Sequence, residues 1–272
     1  MKGKRVGITL HALMSSTRLT KKPMRTLYGR EMIAHQIDRL KTAKVPERIV
    51  LCTSTADHDR VLLDIAKREG VEAFAGPKDD LMLRLTMAAE KYGFDYIVAP
   101  AGDNPLTDAE HIDILARHVV ENELDYGDSV GALPIGLFVK AAKTSALKKA
   151  CEIKEETDTG SYMNYFIMTK GLFKTGKIKA LPWVIGTDFR LTVDMPEDFK
   201  LMENIFDRFY TPGKVFSLAD VLVYLRDNPK VMDINRKIVQ IPIESFPFRL
   251  KKGYEKFIMK EYRKDLKSAE CR

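Results

Sequence analysis

The sequence has few cysteines, one tryptophan and no long apolar run. Its three cysteines, at positions 52, 151 and 271, are an odd number with no metal-binding spacing. This pattern argues against a secreted disulfide scaffold and is typical of reduced thiols in the cytoplasm. No stretch reaches the roughly 18 consecutive apolar residues of a membrane-spanning helix. Because a strand-like run begins at Val6 without a signal-like segment before it, we expect a cytoplasmic protein with no secretory leader.

Positive charge is in excess, but much of the excess lies at one end. The 45 Lys and Arg residues outnumber the 38 Asp and Glu residues, and the net charge is +7. Residues 249–267 hold eight basic against three acidic residues, so the remaining chain is closer to neutral and does not demand a nucleic-acid-binding face. With 45% hydrophobic residues the chain can bury a substantial core. We predict one domain over residues 1–240 and a basic C-terminal extension over residues 241–272.

Strand-like and helix-like patterns alternate through the first half. Strands are predicted at 6–10, 48–54, 71–75 and 96–100, and helices at 31–42, 57–69, 79–92 and 107–122, the last capped by Thr107. This alternation predicts an α/β fold of βαβ units, doubly wound with helices on both faces of a mostly parallel sheet and with ligands at the carboxyl ends of the strands.

The second half is less regular. Strands are predicted at 137–139, 165–168 and 190–194, and helices at 141–151, 195–209, 218–225 and 254–266. Because its pattern is interrupted by a polar run, the region 125–185 is predicted to be a substrate or dimerisation subregion.

The loop after the first predicted strand combines hydroxyls and cations. Ser15, Ser16 and Thr17 precede Arg18, and Lys21 and Lys22 follow. Backbone amides and hydroxyls can bond phosphate oxygens while the cations neutralise their charge, so the loop is a candidate polyphosphate site. The alternative is an ordinary solvated basic loop.

Two aspartates follow predicted strands. Asp103 comes after the strand at 96–100, and Asp194 ends the strand at 190–194. In a parallel sheet both would face the crevice that the basic loop also faces, and carboxylate oxygens are ligands that Mg²⁺ prefers. The alternatives are a turn at 102–105 and a helix cap at Asp194.

Several ordered segments together resemble the cytidylyltransferases that activate acidic sugars. Residues 12–24 read ALMSSTRLTKKPM and residues 28–35 read YGREMIAH, where that family has A-R-x-x-S-x-R-L-P-G-K-P-L and then G-K-P-M-I-x-H. Further matches are TST at 53–55, GPKDDLMLR at 76–84, GDNPL at 102–106, RLTVDMPED at 190–198 and DINR at 233–236. Their order is most similar to the spore-coat polysaccharide cytidylyltransferase branch.

The resemblance implies a Rossmann-like α/β domain with a nucleotide-diphospho-sugar transferase-like fold, and a homodimer. It also implies a reaction that uses CTP and Mg²⁺ to form a CMP-linked product with release of pyrophosphate, in surface polysaccharide or glycoconjugate biosynthesis. The residues it places in catalysis are Arg18, Lys22 and Asp103, and those on the metal are Asp103 and Asp194. The residues it places around the nucleotide or acceptor are Leu10, Ala12, Ser16, Lys21, Thr53, Asp80 and Arg84.

The chain departs from the family pattern at several positions. Leu13 replaces the first Arg, Thr20-Lys21 replaces Pro-Gly, and residues 157–162 lack the Arg-Glu-His of many relatives. Lys21 is a candidate replacement for the missing charge. The acceptor therefore stays open among an acidic keto-sugar, another sugar, and a phosphate or phosphonate compound.

The residues leave two other functions open. A nucleotide-sugar-dependent glycosyltransferase would normally carry a compact D-x-D, which Asp103-Asn-Pro lacks. A diverged nucleotide-binding protein without catalysis is consistent with Leu13. The five histidines, at 11, 35, 58, 111 and 118, have no ligand spacing, and we interpret them as structural except His11, which is placed to touch a nucleotide.

Overall fold

The computed structural model describes residues 3–15, 18–186, 188–242, 245–246, 248–260 and 262. Its strands are β1 Val6–His11, β2 Thr26–Leu27, β3 Arg30–Glu31, β4 Arg48–Ser54, β5 Glu72–Gly76, β6 Tyr96–Val98, β7 Tyr126–Asp128, β8 Lys140–Lys143 and β9 Thr175–Lys177. Its α-helices are α1 Met32–Leu40, α2 Arg60–Arg68, α3 Leu81–Tyr92, α4 Ala109–Glu121, α5 Thr144–Ile153, α6 Asn164–Ile167, α7 Pro196–Phe209, α8 Leu218–Asp227 and α9 Pro229–Met232. Short 3-10 helices lie at Lys22–Met24, Asp57–Asp59 and Glu255–Phe257.

Seven of the strands form one sheet in the order β5-β4-β1-β6-β8-β7-β9. Neighbouring strands are parallel except β8, which is antiparallel to both β6 and β7. Ile8 in the central strand β1 pairs with Ile49 of β4 and Val98 of β6. The carboxyl ends of these strands therefore meet at one edge, and the predicted α/β fold with a mostly parallel sheet is confirmed.

Alternating strand residues give the sheet two apolar faces, and helices cover both. Ile8 belongs to the cluster packed by α1, α2 and α4, whereas Cys52 belongs to the cluster packed by α3, α5 and α6. A third cluster joins α7 and α8 to Leu19 and Leu191. Fully burying one such side chain contributes about 1.5–3 kcal/mol to the stability of the fold. The cluster therefore holds the segments that contain Leu19 and Leu191 next to the carboxyl edge of the sheet.

Several predicted elements in the second half are wrong. Residues 137–139 are not a strand; the strand in this region is β8, which begins at Lys140. The helix predicted at 141–151 begins later, at Thr144, the first residue of α5. Residues 165–167, predicted as strand, belong to α6, where Phe166 stacks on Tyr126 with ring centroids 5.0 Å apart. Within 190–194 pairing is limited to a single bridge between Arg190 and Ile135.

Part of the predicted C-terminal extension packs on the domain. Phe248, Leu250 and Ile258 are buried in the same cluster as α5 and α6. A helix is predicted at 254–266, but residues 254–260 contain only the 3-10 turn Glu255–Phe257, so the prediction is wrong there. Residues 261 and 263–266 lie outside the described residues. Among the described ranges we find no helix that is long and apolar enough to cross a membrane.

Candidate active site

The loop after β6 lies directly against the end of β1. The Gly102 amide donates to the His11 carbonyl at 2.8 Å. A Cβ at position 102 would stand 2.8 Å from the Ala12 Cβ and 3.0 Å from the Ile33 Cδ1. Only glycine leaves room for this approach, which brings Asp103 beside the loop after β1.

The second aspartate is held by a buried carboxylate. The Asp198 Oδ2 accepts hydrogen bonds from the Asp194 amide at 2.9 Å and the Met195 amide at 3.0 Å. Arg190 donates to both oxygens of the same fully buried carboxylate, at 2.9 and 3.0 Å. Bidentate pairing of this kind fixes orientation as well as charge, so it sets the backbone direction at Asp194.

Lys22 joins the two aspartates. Its Nζ lies 2.9 Å from the Asp194 Oδ1 and 3.3 Å from the Asp103 Oδ2. The Val193 amide also donates to the Asp103 carbonyl at 2.8 Å, which connects the two loops directly. Arg18 approaches from the solvent side, with its NH2 3.1 Å from the Asp194 Oδ1. The two carboxylates and the cations of the basic loop therefore lie in contact, as the sequence predicts.

The local charges keep Asp194 ionised. Burial alone would raise its pKa, but Lys22, Arg18 and Arg190 outweigh that effect and lower the pKa of the carboxyl below its ordinary value. Arg190 contributes a further hydrogen bond, from NH2 to the Asp194 Oδ2 at 3.2 Å. The carboxylate is therefore anionic at neutral pH.

A cavity of about 400 Å³, which we call the β1 cavity, opens beside this cluster. It falls within the size range of small-ligand sites. Its lining residues are His11, Ala12, Leu13, Ser15, Arg18, Lys22, Pro23, Lys78, Asp79, Leu81, Arg84, Ala101, Gly102, Asp103, Asp158 and Gly160. The lining joins the loops after β1 and β6 to the segment after β5 and to residues 158–160.

Five of the predicted site residues line the β1 cavity: Ala12, Arg18, Lys22, Arg84 and Asp103. Arg84 is nearly fully buried and donates from NH1 to the carbonyls of Pro77 and Lys78 at 2.9 and 3.1 Å. It therefore shapes the turn after β5 as well as contributing charge. Ser16 lies outside the described residues.

Five other predicted residues are not brought into the lining. Asp194 lines a neighbouring cavity, which it shares with Arg18, and is joined to the β1 cavity by Lys22. Leu10 is fully buried in the apolar core, and Thr53 is fully buried with no hydrogen-bond partner for its hydroxyl in the described part of the chain. Asp80 caps α3 by accepting from the Leu83 amide at 3.0 Å. Lys21 is exposed and adopts a φ of 52°, a left-handed conformation that favours the glycine found there in the resembling family.

The sequence pattern missed residues that complete the wall. Lys78 and Asp79 lie in the GPKDDLMLR segment, where only Asp80 and Arg84 are predicted site residues, and Asp158 comes from the polar run between α5 and α6. Arg190 and Asp198 flank Asp194 symmetrically in RLTVDMPED, a spacing that could have indicated their supporting role. His11 lines the cavity, and its contact with a nucleotide stays a prediction. Burial, together with Arg84 and Lys140, lowers the pKa of His11 to about 3, so its ring is neutral.

The aspartate pair suits a magnesium ion. Asp103 and Asp194 supply hard carboxylate oxygens that already enclose one cationic atom, the Lys22 Nζ. Among the described residues no group of three or more His, Cys, Asp or Glu could hold a metal. Two carboxylates nevertheless fit Mg²⁺, because that ion usually takes its other ligands from water and phosphate oxygens.

Known proteins resemble this chain over most of its length. A family model described as Cytidylyltransferase matches residues 10–178. The spore coat polysaccharide biosynthesis protein SpsF of Bacillus subtilis (strain 168) is 23% identical over 226 residues, which are 81% of this chain and 93% of the relative. A 3-deoxy-manno-octulosonate cytidylyltransferase of Chloroherpeton thalassium is 26% identical over 164 residues, 58% of this chain and 62% of that relative.

A solved structure agrees with these matches. The cytidylyltransferase from Leptospira borgpetersenii serovar Hardjo-bovis superposes with a TM-score of 0.78 at 25% identity, covering 87% of this chain and 100% of that one. The family model spans more than half of the chain, including the end of β1, the Asp103 loop and the segment after β5. The chain therefore belongs to the cytidylyltransferase family.

Proposed function

We propose that this protein transfers CMP from CTP to a sugar or another small acidic acceptor, with Mg²⁺ and with release of pyrophosphate. The observation that carries the proposal is the Lys22 ammonium between Asp103 and Asp194, next to Arg18 and the β1 cavity. Cations beside a carboxylate pair are what a triphosphate and its metal require.

The reaction needs no covalent intermediate on the protein. An acceptor oxygen attacks the α-phosphorus of CTP and forms the new P–O bond, while the bond from that phosphorus to the bridging oxygen of pyrophosphate breaks. Lys22 and Arg18 neutralise the charge that develops on the phosphate oxygens and on the leaving group. The cavity holds CTP and the acceptor side by side, with the acceptor oxygen oriented toward the α-phosphorus, and this lowers the entropic part of the activation barrier.

Asp103 and Asp194 would hold the magnesium ion. When bound, this ion supplies Lewis-acid stabilisation of the phosphate oxygens. Arg190 and Asp198 keep the Asp194 carboxylate in place through the buried hydrogen bonds described above. Because Asp194 is ionised, a metal ion would compete for it with the Lys22 ammonium rather than with a proton.

The relatives favour a role in making polysaccharides. The Bacillus protein is named for spore coat polysaccharide biosynthesis, and the Chloroherpeton protein for 3-deoxy-manno-octulosonate. We extend to this chain the broader class, a sugar or other small acidic acceptor for surface polysaccharide or glycoconjugate synthesis. Residues 157–162 lack the Arg-Glu-His of many relatives, so the acceptor class stays open among those named above. The cytoplasmic location and the homodimer stay predictions.

A pyrophosphate-release assay tests the proposal. The enzyme is incubated with CTP, Mg²⁺ and a panel of acidic keto-sugars, neutral sugars, sugar phosphates and phosphonates. We expect release that depends on one acceptor class and that stops when EDTA removes the metal. Absence of release with every acceptor, alongside tight CTP binding, would favour a non-catalytic nucleotide-binding protein instead.

A further inference from the structure

A short segment between α5 and α6 forms part of the wall of the β1 cavity. Asp158 and Gly160 line the cavity, although they are distant in sequence from the other lining residues. The segment, residues 155–161, contains no regular secondary structure before the turn that begins α6. Its position is therefore set by contacts with other parts of the chain, among them the hydrogen bond from the Glu155 amide to the Arg249 carbonyl and the ion pair of Glu156 with Arg249.

Asp80 supplies two further contacts from the start of α3. The Thr159 hydroxyl donates to the Asp80 Oδ1 at 2.8 Å, and the Lys154 ammonium forms an ion pair with the Asp80 Oδ2. The same carboxylate accepts from the Leu83 amide. Both oxygens are thus engaged by the protein, and the residue is only 8% exposed. Asp80 cannot act on a ligand directly without breaking this network.

The Thr159 hydroxyl is used in both directions. Besides donating to Asp80, it accepts from the Met82 amide at 2.8 Å, and the Thr159 amide donates to the Asp79 carbonyl at 3.3 Å. The side chain is almost completely buried. Since buried polar groups that lose their partners are costly, this residue attaches the segment firmly to the first turn of α3.

The attached wall lies away from the phosphate end of the cavity. Lys22 and Asp103 mark that end, at β1 and β6, whereas Lys78 and Asp79 follow β5, two strands from β1 in the sheet. Strands are spaced about 4.8 Å apart, so the two ends are separated by about 10 to 14 Å. That separation matches the distance between the phosphates and the base of a nucleotide.

We propose that Asp80 is a positioning residue that, through Thr159 and Lys154, holds residues 155–161 against the β5 side of the cavity and so shapes the end that receives the nucleoside of CTP. This inference rests on the proposed function for the identity of the ligand. It also gives a reason for Asp80 to stand in the nucleotide motif without lining the cavity.

Calorimetric binding to the full chain tests the inference. Thr159→Val removes the hydroxyl at nearly constant volume, and Thr159→Ser is the matched control that keeps it. We expect Thr159→Val to weaken binding of CTP with Mg²⁺ by about five- to tenfold, in line with the loss of a buried hydrogen bond. Binding of inorganic tripolyphosphate with Mg²⁺ should stay within twofold, and Thr159→Ser should keep both affinities within twofold of the wild type.

Hydrogen exchange distinguishes local loosening of residues 155–161 from a general loss of stability. In Thr159→Val the amides of residues 157–161 should exchange about tenfold faster, while those of β1 and β4 keep their protection. Unchanged CTP affinity, or equal weakening of CTP and tripolyphosphate, would overturn the inference. If the wild type itself binds no CTP, the proposed function fails. Unchanged exchange at residues 157–161 in the variant would then also overturn the inference that Thr159 holds this segment in place.

Discussion

Replacing Lys22 by methionine removes the cation that separates Asp103 and Asp194 while preserving most of the side-chain volume. The Lys22 side chain is 10% exposed, and its Nζ lies 2.9 and 3.3 Å from the two carboxylates. Breaking a fully buried pair costs about 3–5 kcal/mol. Here Asp103 is partly exposed and Asp194 keeps Arg18 and Arg190, so we expect a loss of about 1–2 kcal/mol in the free energy of unfolding without metal.

The same variant should respond more strongly to magnesium. The metal and the ammonium share one pair of carboxylates, so removing Lys22 leaves the pair freer to bind Mg²⁺. A tenfold gain in affinity would add up to about 1.4 kcal/mol of stabilisation at saturating metal. Turnover should nonetheless fall by about 100- to 1,000-fold, because the charge on the leaving pyrophosphate loses a partner.

Urea unfolding with and without MgCl₂, combined with pyrophosphate release, measures both effects. Lys22→Arg is the charge-keeping control, and Lys67→Met on the exposed face of α2 is the control for loss of a surface lysine. Equal magnesium stabilisation of wild type and Lys22→Met, or wild-type turnover in the variant, would refute the proposed arrangement.

Three further predictions concern single residues of the β1 cavity. Asp103→Ala should abolish measurable pyrophosphate release yet leave the far-UV circular dichroism unchanged, because the side chain is partly exposed; retained turnover would count against Asp103 as a ligand. Leu13→Arg should tighten CTP binding about three- to tenfold in calorimetry by adding a cation facing the phosphates; no gain would show that position 13 faces another group. Since the pKa of His11 is about 3 when folded and about 6.5 when unfolded, protons bind the unfolded chain preferentially between these values, so stability should fall as pH drops through that window. His11→Asn should flatten that part of the urea-stability profile, and an unchanged slope from pH 7 to 4.5 would contradict it.

The first half of the fold could be predicted because its signals are local. Apolar strands such as β4 and amphipathic helices such as α2 carry their period in the sequence itself. The second half could not, because tertiary pairing decides it. Ala141 and Ala142 favour helix by propensity, yet they form β8 by pairing with β6 and β7.

The site divides in the same way. Asp103 and Asp194 could be placed together because each follows a strand-like run and the sheet edge brings such loops together. The attachment of Thr159 to Asp80 joins positions far apart in sequence, and the short polar segment that carries Thr159 has no periodic signal. Strand pairing directs the side chains of Leu10 and Thr53 into the interior. The motif alone does not indicate this orientation.

Thermal unfolding with each of the four nucleoside triphosphates, with and without Mg²⁺, tests the central claim most directly. A ligand at 100 times its dissociation constant stabilises the folded state by about 2.7 kcal/mol. We predict selective stabilisation by CTP that depends on magnesium. Stabilisation by none of the four, or by all equally, would contradict a CTP site at the β1 cavity.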